Sequence, residues 1–317
     1  MRRTCTDMVY ALAKQDPRVV FVGSDLGAGL LDDMRAEMPD RFYMEGVCEQ
    51  NLIGMAAGLA MEGYIPYVNT IATFITRRCF EQIAIDLCLH NLPVRLIGNG
   101  GGMVYAPLGP THMATDDIAI LRALPNMTVV APTDAEEMKR FMPETVNWPG
   151  PVYIRLGKGG DEVVSNADDG FEIGKGYMLR PAGRVLLVTT GVMASRALDA
   201  AETLDTEGIS CGVLNLPTVK PLDENTLLAR AGDADLVVTI EEHTIVGGLG
   251  SAVTDTLVEN LGTRLPLIKR LGLPDVFPED YGSQDSLMEH FGLQAPGITS
   301  TVRAGLTQLN DQSRSTG

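Results

Sequence analysis

The chain has 317 residues, of which 45% are hydrophobic and 21% are charged, and its formal net charge at pH 7 is −16. This length allows two domains of ordinary size, and the composition is that of a folded, soluble globular protein. The acidic balance argues against nucleic acid and against an anionic membrane surface as partners, because phosphate groups are bound by basic surfaces.

The cysteines and the N-terminus predict a cytoplasmic protein. The number of cysteines is odd and no C-x-x-C pair occurs, which favours reduced thiols over disulfides or a zinc site. The cysteines are Cys5, Cys48, Cys79, Cys88 and Cys211. Residues 1–16 lack the apolar core of a signal peptide. No run reaches the roughly 18 apolar residues that a transmembrane helix needs.

The first elements are predicted to be a helix and a buried parallel strand. Residues 4–14 carry apolar residues at helical spacing, and Pro17 follows as a stop signal. Residues 18–22, RVVFV, form a short apolar run that leads into the loop containing Asp25. Open α/β sheets place ligands at the carboxyl ends of their strands. Asp25 is therefore a candidate site residue, although an ordinary loop or capping aspartate explains it equally well.

Residues 42–61, FYMEGVCEQNLIGMAAGLAM, predict a strand end, a turn and a helix that begins near Glu49. The helix is rich in small residues, although glycine in a helix interior costs about 1 kcal/mol relative to alanine. Gly54 and Gly58, four residues apart, predict a face that packs closely against another element. Glu49 lies in apolar surroundings at the start of the helix, where it is either a carboxylate favoured by the helix dipole or a working group.

The next strand is predicted at 65–68, followed by the segment TFITRRCF and an amphipathic helix. This segment contains Phe74, Arg77 and Phe80. A phenylalanine at such a position belongs to a core as often as to a binding site.

A glycine-rich loop follows the strand predicted at 94–98. The five glycines from Gly98 to Gly109 indicate irregular backbone that comes close to a ligand. His112 ends the G-P-T-H sequence after this loop, where a core histidine is not expected. Histidine is also the side chain best suited to proton transfer at neutral pH. His112 is therefore a candidate catalytic residue.

The rest of the chain predicts the end of one α/β domain, a linker and a second α/β domain. A strand at 128–131, a helix at 134–141 and a last strand that contains Arg155 complete the first domain. Strands and helices alternate again from residue 184 onward. We place the first domain at 1–165, the linker at 166–180 and the second domain at 181–317.

Several of these segments resemble the transketolase family. Residues 46–68, GVCEQNLIGMAAGLAMEGYIPYV, are similar to its pyrimidine-binding domain. Residues 109–137 match G-P-T-H followed by D-x-A-x-x-R-x-x-P-N-x-x-V-x-x-P-x-D-x-x-E, the most specific signature in the chain. V-K-P-L-D at 219–223 and E-E-H-x-x-x-G-G-L-G-S-A-V at 241–253 resemble its C-terminal domain. The resemblance implies two consecutive α/β domains with mainly parallel sheets, and thiamine diphosphate as the cofactor.

The resemblance implies cofactor-binding roles in the first domain. The family's acid at the position of Glu49 hydrogen-bonds N1′ of the aminopyrimidine and thereby helps to remove the C2 proton of the thiazolium. This role needs a carboxyl group that holds a proton near neutral pH, so burial has to outweigh the helix N-terminus. Asp25 matches an acid near the cofactor. Phe74 and Phe80 fall on aromatic positions of the pyrimidine pocket, and Arg77 replaces the aromatic residue that stacks on the ring in transketolases.

The resemblance also implies substrate contacts. His112 matches a histidine that lies between cofactor and substrate and can donate to a developing oxyanion. Arg155 matches an arginine that binds the terminal phosphate of the substrate, and a guanidinium suits phosphate and sulfonate alike. Leu108 replaces the family's acid before G-P-T-H, and Gly100 replaces a histidine eight positions earlier. We therefore expect a phosphorylated or otherwise anionic small sugar, with altered contacts to its hydroxyl and phosphate groups.

The family's diphosphate-binding domain has no counterpart in the sequence. That domain carries a G-D-G motif after a strand and an asparagine further on, which ligate a divalent metal. The nearest match, residues 232–234 with Asn260, precedes a strand instead of following one. We therefore expect no metal ligand in this chain. A separate N-terminal, diphosphate-binding subunit is expected to hold the diphosphate and Mg²⁺ in an α2β2 assembly.

Four functions are compatible with the sequence. The first is the C-terminal subunit of a two-chain transketolase, which transfers a two-carbon ketol unit between a ketose and an aldose. The others are the β subunit of a 2-oxo acid dehydrogenase, a deoxyxylulose-phosphate synthase-like enzyme, which Arg77 indicates, and a non-catalytic binding paralogue. The long match after G-P-T-H favours the first, and the presence of both Glu49 and His112 argues against the last.

Overall fold

The computed structural model of the protein describes residues 1–24 and 29–315. The predicted site residue Asp25 lies outside the described residues. Within them the helices are α1 (Arg2–Gln15), α2 (Asp32–Glu37), α3 (Glu49–Met61), α4 (Phe80–Gln82), α5 (Asp117–Arg122), α6 (Ala135–Val146), α7 (Met193–Asp205), α8 (Glu224–Ala231), α9 (Leu249–Leu261), α10 (Gln284–His290) and α11 (Ala295–Ser315). The strands are β1 (Val19–Gly23), β2 (Phe42–Met44), β3 (Ile65–Ile71), β4 (Arg95–Asn99), β5 (Thr128–Val130), β6 (Val152–Leu156), β7 (Tyr177–Arg180), β8 (Val185–Thr189), β9 (Cys211–Asn215), β10 (Thr218–Lys220), β11 (Leu236–Thr244) and β12 (Leu267–Leu273).

The first domain is built on a seven-stranded sheet in the order β10-β5-β6-β4-β3-β1-β2. Neighbouring strands are parallel except β10, which runs antiparallel to β5. Every residue of β1, β4 and β6 is buried, as expected for parallel strands with both faces covered. This burial explains why the strands were recognisable in the sequence as short apolar runs.

Two layers of core pack on the faces of this sheet and position helix α3. Successive side chains of a strand point to opposite faces, so Phe21 of β1 belongs to one core cluster and Val22 to the other. The cluster around Val22 includes Leu52 and Ile53 of α3. These contacts place the first turn of α3, with Glu49, at the carboxyl edge of the sheet, where α/β proteins bind ligands.

The second domain has a five-stranded sheet in the order β12-β11-β8-β9-β7, parallel except for β7 against β9. The prediction of two α/β domains with mainly parallel sheets is confirmed. Strand β10 lies in the half of the chain that we assigned to the second domain, yet it pairs with β5 at the edge of the first sheet. Among the described helices, none is both long and apolar enough to cross a membrane.

The segment after β3 differs from the amphipathic α-helix that the sequence predicted. Only the short helix α4 has α-helical hydrogen bonding, and the π-helical segments Phe74–Arg78 and Ile83–Leu89 lie on either side of it. Hydrophobic periodicity cannot distinguish these geometries, because both bury an apolar stripe. Short π-helical turns are frequent at functional sites, and the first of these turns carries two of the predicted site residues, Phe74 and Arg77.

Candidate active site

Glu49 is the first residue of α3, and its side chain is only 3% exposed. Cys48 precedes it at the N-cap position without a capping side-chain hydrogen bond. Within the described residues, the hydrogen-bonding partner of the Glu49 carboxylate is Arg78, whose Nη1 donates to Oε2 over 2.5 Å. The acid is therefore a buried group paired with one side chain, and it does not cap its own helix.

Arg78 also contacts an aromatic ring, and this ring contacts the loop histidine. The Arg78 guanidinium carbon lies 4.3 Å from the centroid of the Phe74 ring. Phe74 in turn meets the imidazole of His112 edge-on, with 5.2 Å between the ring centroids. His112 Nδ1 lies 2.9 Å from the Thr111 hydroxyl. The structure thus brings Glu49, Phe74 and His112 together through Arg78. We refer to Glu49, Phe74, Arg78 and His112 as the candidate site.

The other two residues predicted for the pyrimidine pocket have different surroundings. Arg77 Nε donates to both carboxylate oxygens of Asp116 at 2.9 Å, which ties the π-helical turn to the segment that follows His112. Phe80 is half-buried and packs against the apolar core of the first domain. Neither residue has a described contact with Glu49, and their cofactor-binding roles stay predictions.

The glycine-rich loop is held in place partly by the second domain, which the sequence did not predict. The buried carboxylate of Glu242, on β11, accepts a hydrogen bond of 2.6 Å from the backbone N–H of Met103. Gly102 exchanges two backbone hydrogen bonds with Ala114, two residues after His112. Gly102 has a φ of +67°, and a Cβ there would lie 2.4 Å from the Glu242 carboxyl carbon, so glycine is required. The sequence feature that could have indicated this contact is the E-E-H motif on β11, because it contains Glu242.

Arg155 lies between the two domains and is only 7% exposed. Its Nε donates to Asp117 Oδ2 at 2.9 Å, and its Nη2 donates to the carbonyl oxygen of Glu242 at 2.8 Å. Burial favours the protonated form of Asp117, but the charge of Arg155 and the hydrogen bonds from Arg155 and Tyr153 outweigh it and hold the pKa of this carboxyl below its ordinary value. Because the guanidinium makes these contacts within the protein, we do not propose Arg155 as a substrate ligand.

His243 makes structural contacts in this region, and the described residues around it offer no metal site. His243 is buried, and its two ring nitrogens contact the Thr244 carbonyl oxygen and the Ala119 N–H. This pattern fits a neutral structural imidazole, and we assign no catalytic role to it. In residues 1–24 and 29–315, no group of three or more His, Cys, Asp or Glu side chains could hold a metal ion.

Comparison with known proteins relates this geometry to a family. The family model described as transketolase, pyrimidine binding domain, matches residues 1–160. The family model described as transketolase, C-terminal domain, matches residues 174–298. The chain belongs to the transketolase family. The resemblance predicted from the G-P-T-H signature and from the segment around Glu49 is confirmed.

Three relatives show how far the transketolase similarity extends. The 6-deoxy-6-sulfo-D-fructose transketolase subunit SqwH of Clostridium sp. (strain MSTE9) is 38% identical over 94% of this chain and 92% of its own length. The 1-deoxy-D-xylulose-5-phosphate synthase of Synechococcus sp. (strain JA-3-3Ab) is 39% identical over 95% of this chain but over 46% of its own length. A solved structure described as split gene transketolase, inactive beta4 tetramer, has a TM-score of 0.89 at 36% identity and covers 96% of this chain and 98% of its own.

Proposed function

We propose that this protein is the C-terminal subunit of a two-chain transketolase, which transfers a two-carbon ketol unit from a ketose to an aldose with thiamine diphosphate. The observation that carries the proposal is the buried acid Glu49 at the head of α3, joined by Arg78 to the aromatic ring of Phe74 and through it to His112. Two relatives that match this chain over nearly their whole length are described as a transketolase subunit and a split-gene transketolase.

The chemistry of the candidate site suits the pyrimidine end of the cofactor. When bound, thiamine diphosphate supplies the nucleophilic carbon that accepts and releases the two-carbon unit. Glu49 would hold a ring nitrogen of the pyrimidine by a hydrogen bond, which its buried surroundings would strengthen. Phe74 offers an aromatic face for the flat ring. His112, on the neighbouring loop, exchanges a proton with an oxygen of the substrate.

One face of helix α3 is exposed, and this exposure favours a partner subunit that binds there. Gly54 and Gly58 are exposed, and apart from neighbouring backbone of α3 itself no atom of the described residues lies within 4 Å of the position that a Cβ would take at either residue. Val47, just before the helix, and Met61, at its end, are 69% and 60% exposed. Glycine lets another backbone approach closely, and exposed apolar side chains provide area to bury in an interface. The N-terminal subunit, carrying the diphosphate and Mg²⁺ site, packs on this face in an α2β2 assembly.

The substrate is proposed to be a sugar with an anionic group, phosphate or sulfonate. The name of the relative SqwH specifies a sulfonated sugar for that protein. Leu108 is 50% exposed on the loop before His112, where it provides an apolar side chain in place of the family's acid. Contacts to the substrate hydroxyl groups therefore differ from those of other transketolases.

Reconstitution tests the proposed function. The chain is mixed with the N-terminal transketolase subunit of the same organism, thiamine diphosphate and Mg²⁺, and ketol transfer is followed with phosphorylated and sulfonated donors. We expect transfer only when both subunits are present. Condensation of pyruvate with an aldose phosphate would instead assign the deoxyxylulose-phosphate synthase reaction, although this chain spans 46% of that relative. Decarboxylation of 2-oxo acids would identify the chain as the β subunit of a 2-oxo acid dehydrogenase. Absence of turnover with every partner would identify it as a non-catalytic binding protein.

Replacing His112 with asparagine should lower turnover of the reconstituted enzyme by about 10²-fold or more, because a proton-transfer group at this position is lost. Cofactor affinity should change little, since Glu49 and Phe74, which we propose to bind the pyrimidine, stay in place. His90→Asn is the matched control, because His90 is exposed at the end of the second π-helical segment. Equal loss of activity in the control, or full activity of the His112 variant, would contradict the assigned role.

Replacing Gly58 with leucine should weaken association with the N-terminal subunit by about tenfold or more, because a large side chain on a close-packed face forces the partner away. The isolated chain should stay folded, since the position is open. Sedimentation velocity of the mixed subunits measures this effect. Glu202→Leu, which introduces leucine at another exposed helical position, on α7, serves as the control. Unchanged association of the Gly58 variant would exclude this face as the interface.

A further inference from the structure

We propose that Arg78 takes the place of the cofactor's aminopyrimidine while the site is free, and that it has to leave Glu49 before the cofactor binds. This inference rests on the proposed function. Arg78 is then an internal competitor that lowers the affinity for thiamine diphosphate and stabilises the chain before assembly.

The first observation is the contact with the acid. Arg78 Nη1 donates to Glu49 Oε2 at 2.5 Å, and the Glu49 side chain is only 3% exposed. A buried carboxylate without a partner is strongly destabilising, so the free chain needs a cation or donor at this position. Arg78 supplies it from the π-helical turn, and the acid has no other described partner.

The second observation is the contact with the aromatic ring. The same guanidinium lies over Phe74, with 4.3 Å between its central carbon and the ring centroid. A guanidinium is planar, carries N–H donors on its edge and stacks on aromatic faces. An aminopyrimidine has the same combination of a flat face and polar edge groups. One side chain therefore makes both contacts that we propose for the cofactor ring, to Glu49 and to Phe74.

The third observation concerns the freedom of this side chain to leave. Gln50 Nε2 donates to the backbone carbonyl of Arg78 at 3.1 Å, so the backbone is held. The side chain is 43% exposed, and its only described polar partner is Glu49. The adjacent Arg77 is instead held by both oxygens of Asp116. To turn into solvent, the Arg78 side chain has to break one hydrogen bond, to Glu49, and its contact with the Phe74 ring, whereas Arg77 has to break two hydrogen bonds to Asp116.

The test measures cofactor affinity in the complete two-subunit enzyme. Arg78→Met keeps the aliphatic length but removes the guanidinium. We expect the Kd for thiamine diphosphate, from equilibrium dialysis with Mg²⁺ in excess, to fall about fivefold, the size expected for loss of a half-exposed ion pair. Arg303→Met is the matched control, because Arg303 is 47% exposed, pairs with Glu207 and lies on α11. The Kd of the Arg303→Met enzyme for thiamine diphosphate should equal that of the wild type.

A second variant and a second readout guard against a folding defect. Arg78→Lys keeps the charge without the planar face, so its Kd should fall between those of the wild type and Arg78→Met. The rise in melting temperature on adding cofactor should be largest for Arg78→Met, because its free form leaves Glu49 unpaired. An unchanged or higher Kd for Arg78→Met would overturn the inference, and a higher Kd would make Arg78 a cofactor ligand. A wild-type assembly that binds no cofactor would overturn the proposed function as well.

Discussion

Replacing Glu49 with glutamine should abolish ketol transfer by the assembled enzyme while leaving the fold intact. Glutamine keeps the size of the side chain but cannot exchange a proton with a ring nitrogen. Removal of a positioned proton-transfer group lowers turnover by about 10²- to 10⁴-fold, and Glu49→Ala should have the same effect. Steady-state ketol transfer of each variant with its partner subunit, together with its circular dichroism spectrum, measures both claims.

Glu62→Gln is the control for this experiment. Glu62 follows the last residue of α3 and is exposed, so the same change of charge occurs at the other end of the same helix. Its activity should equal that of the wild type. Normal turnover of Glu49→Gln in the presence of the partner would remove Glu49 from the mechanism.

Replacing Asp117 with asparagine should destabilise the chain by about 3–5 kcal/mol, because the buried guanidinium of Arg155 loses its counter-charge. This loss corresponds to a fall in melting temperature on the order of 10 °C. Tyr153 also donates to Asp117 at 2.6 Å, so the change breaks two hydrogen-bonding links between β6 and α5. Thermal unfolding of the isolated chain measures the effect.

Asp116, the residue before Asp117, provides the control variant. The pH dependence of unfolding provides an independent check on the role of Asp117. Asp116 forms a half-exposed pair with Arg77, so Asp116→Asn should cost less than about 1 kcal/mol. The pKa of Asp117 lies below its ordinary value of 3.8, so its stabilising contribution is complete above pH 4 and is lost as the pH falls further. The difference between wild type and Asp117→Asn should therefore shrink in acid. Equal stability of the wild type and Asp117→Asn at pH 7 would show that the ion pair with Asp117 does not stabilise the buried Arg155.

The sequence was sufficient to predict most of the strands, and its motifs singled out Glu49 and His112, but β7 (Tyr177–Arg180) lies in the segment 166–180 that we expected to be a linker. Parallel strands buried on both faces are continuous apolar runs, so β1, β4 and β6 were recognisable without tertiary information. Glu49 and His112 lie in long motifs, and their positions at the head of α3 and after the glycine-rich loop follow from local sequence. The transketolase family and the fold class were correctly predicted for the same reason.

The remaining features depend on contacts between distant parts of the chain. The ion pair of Glu49 with Arg78 spans 29 positions, and the hydrogen bond of Met103 with Glu242 spans 139. No local pattern encodes such pairings, so Arg78 and Glu242 were missed. Arg155 was predicted to bind the substrate, whereas its burial depends on a partner that the second domain brings to it and that the local sequence does not show. The place of strand β10 in the first sheet was also missed, because its pairing with β5 joins residues that are far apart in the chain.

The most direct test of the divided site is a titration of thiamine diphosphate with Mg²⁺ into three samples: this chain alone, the N-terminal subunit alone and the two mixed. We predict saturable binding by the mixture, and binding at least about a hundredfold weaker by either subunit alone, because each contributes only part of the contacts. The mixture made with Glu49→Ala should bind more weakly than the wild-type mixture. Binding by this chain alone that is as tight as binding by the mixture would contradict the proposal that the cofactor is held between two chains.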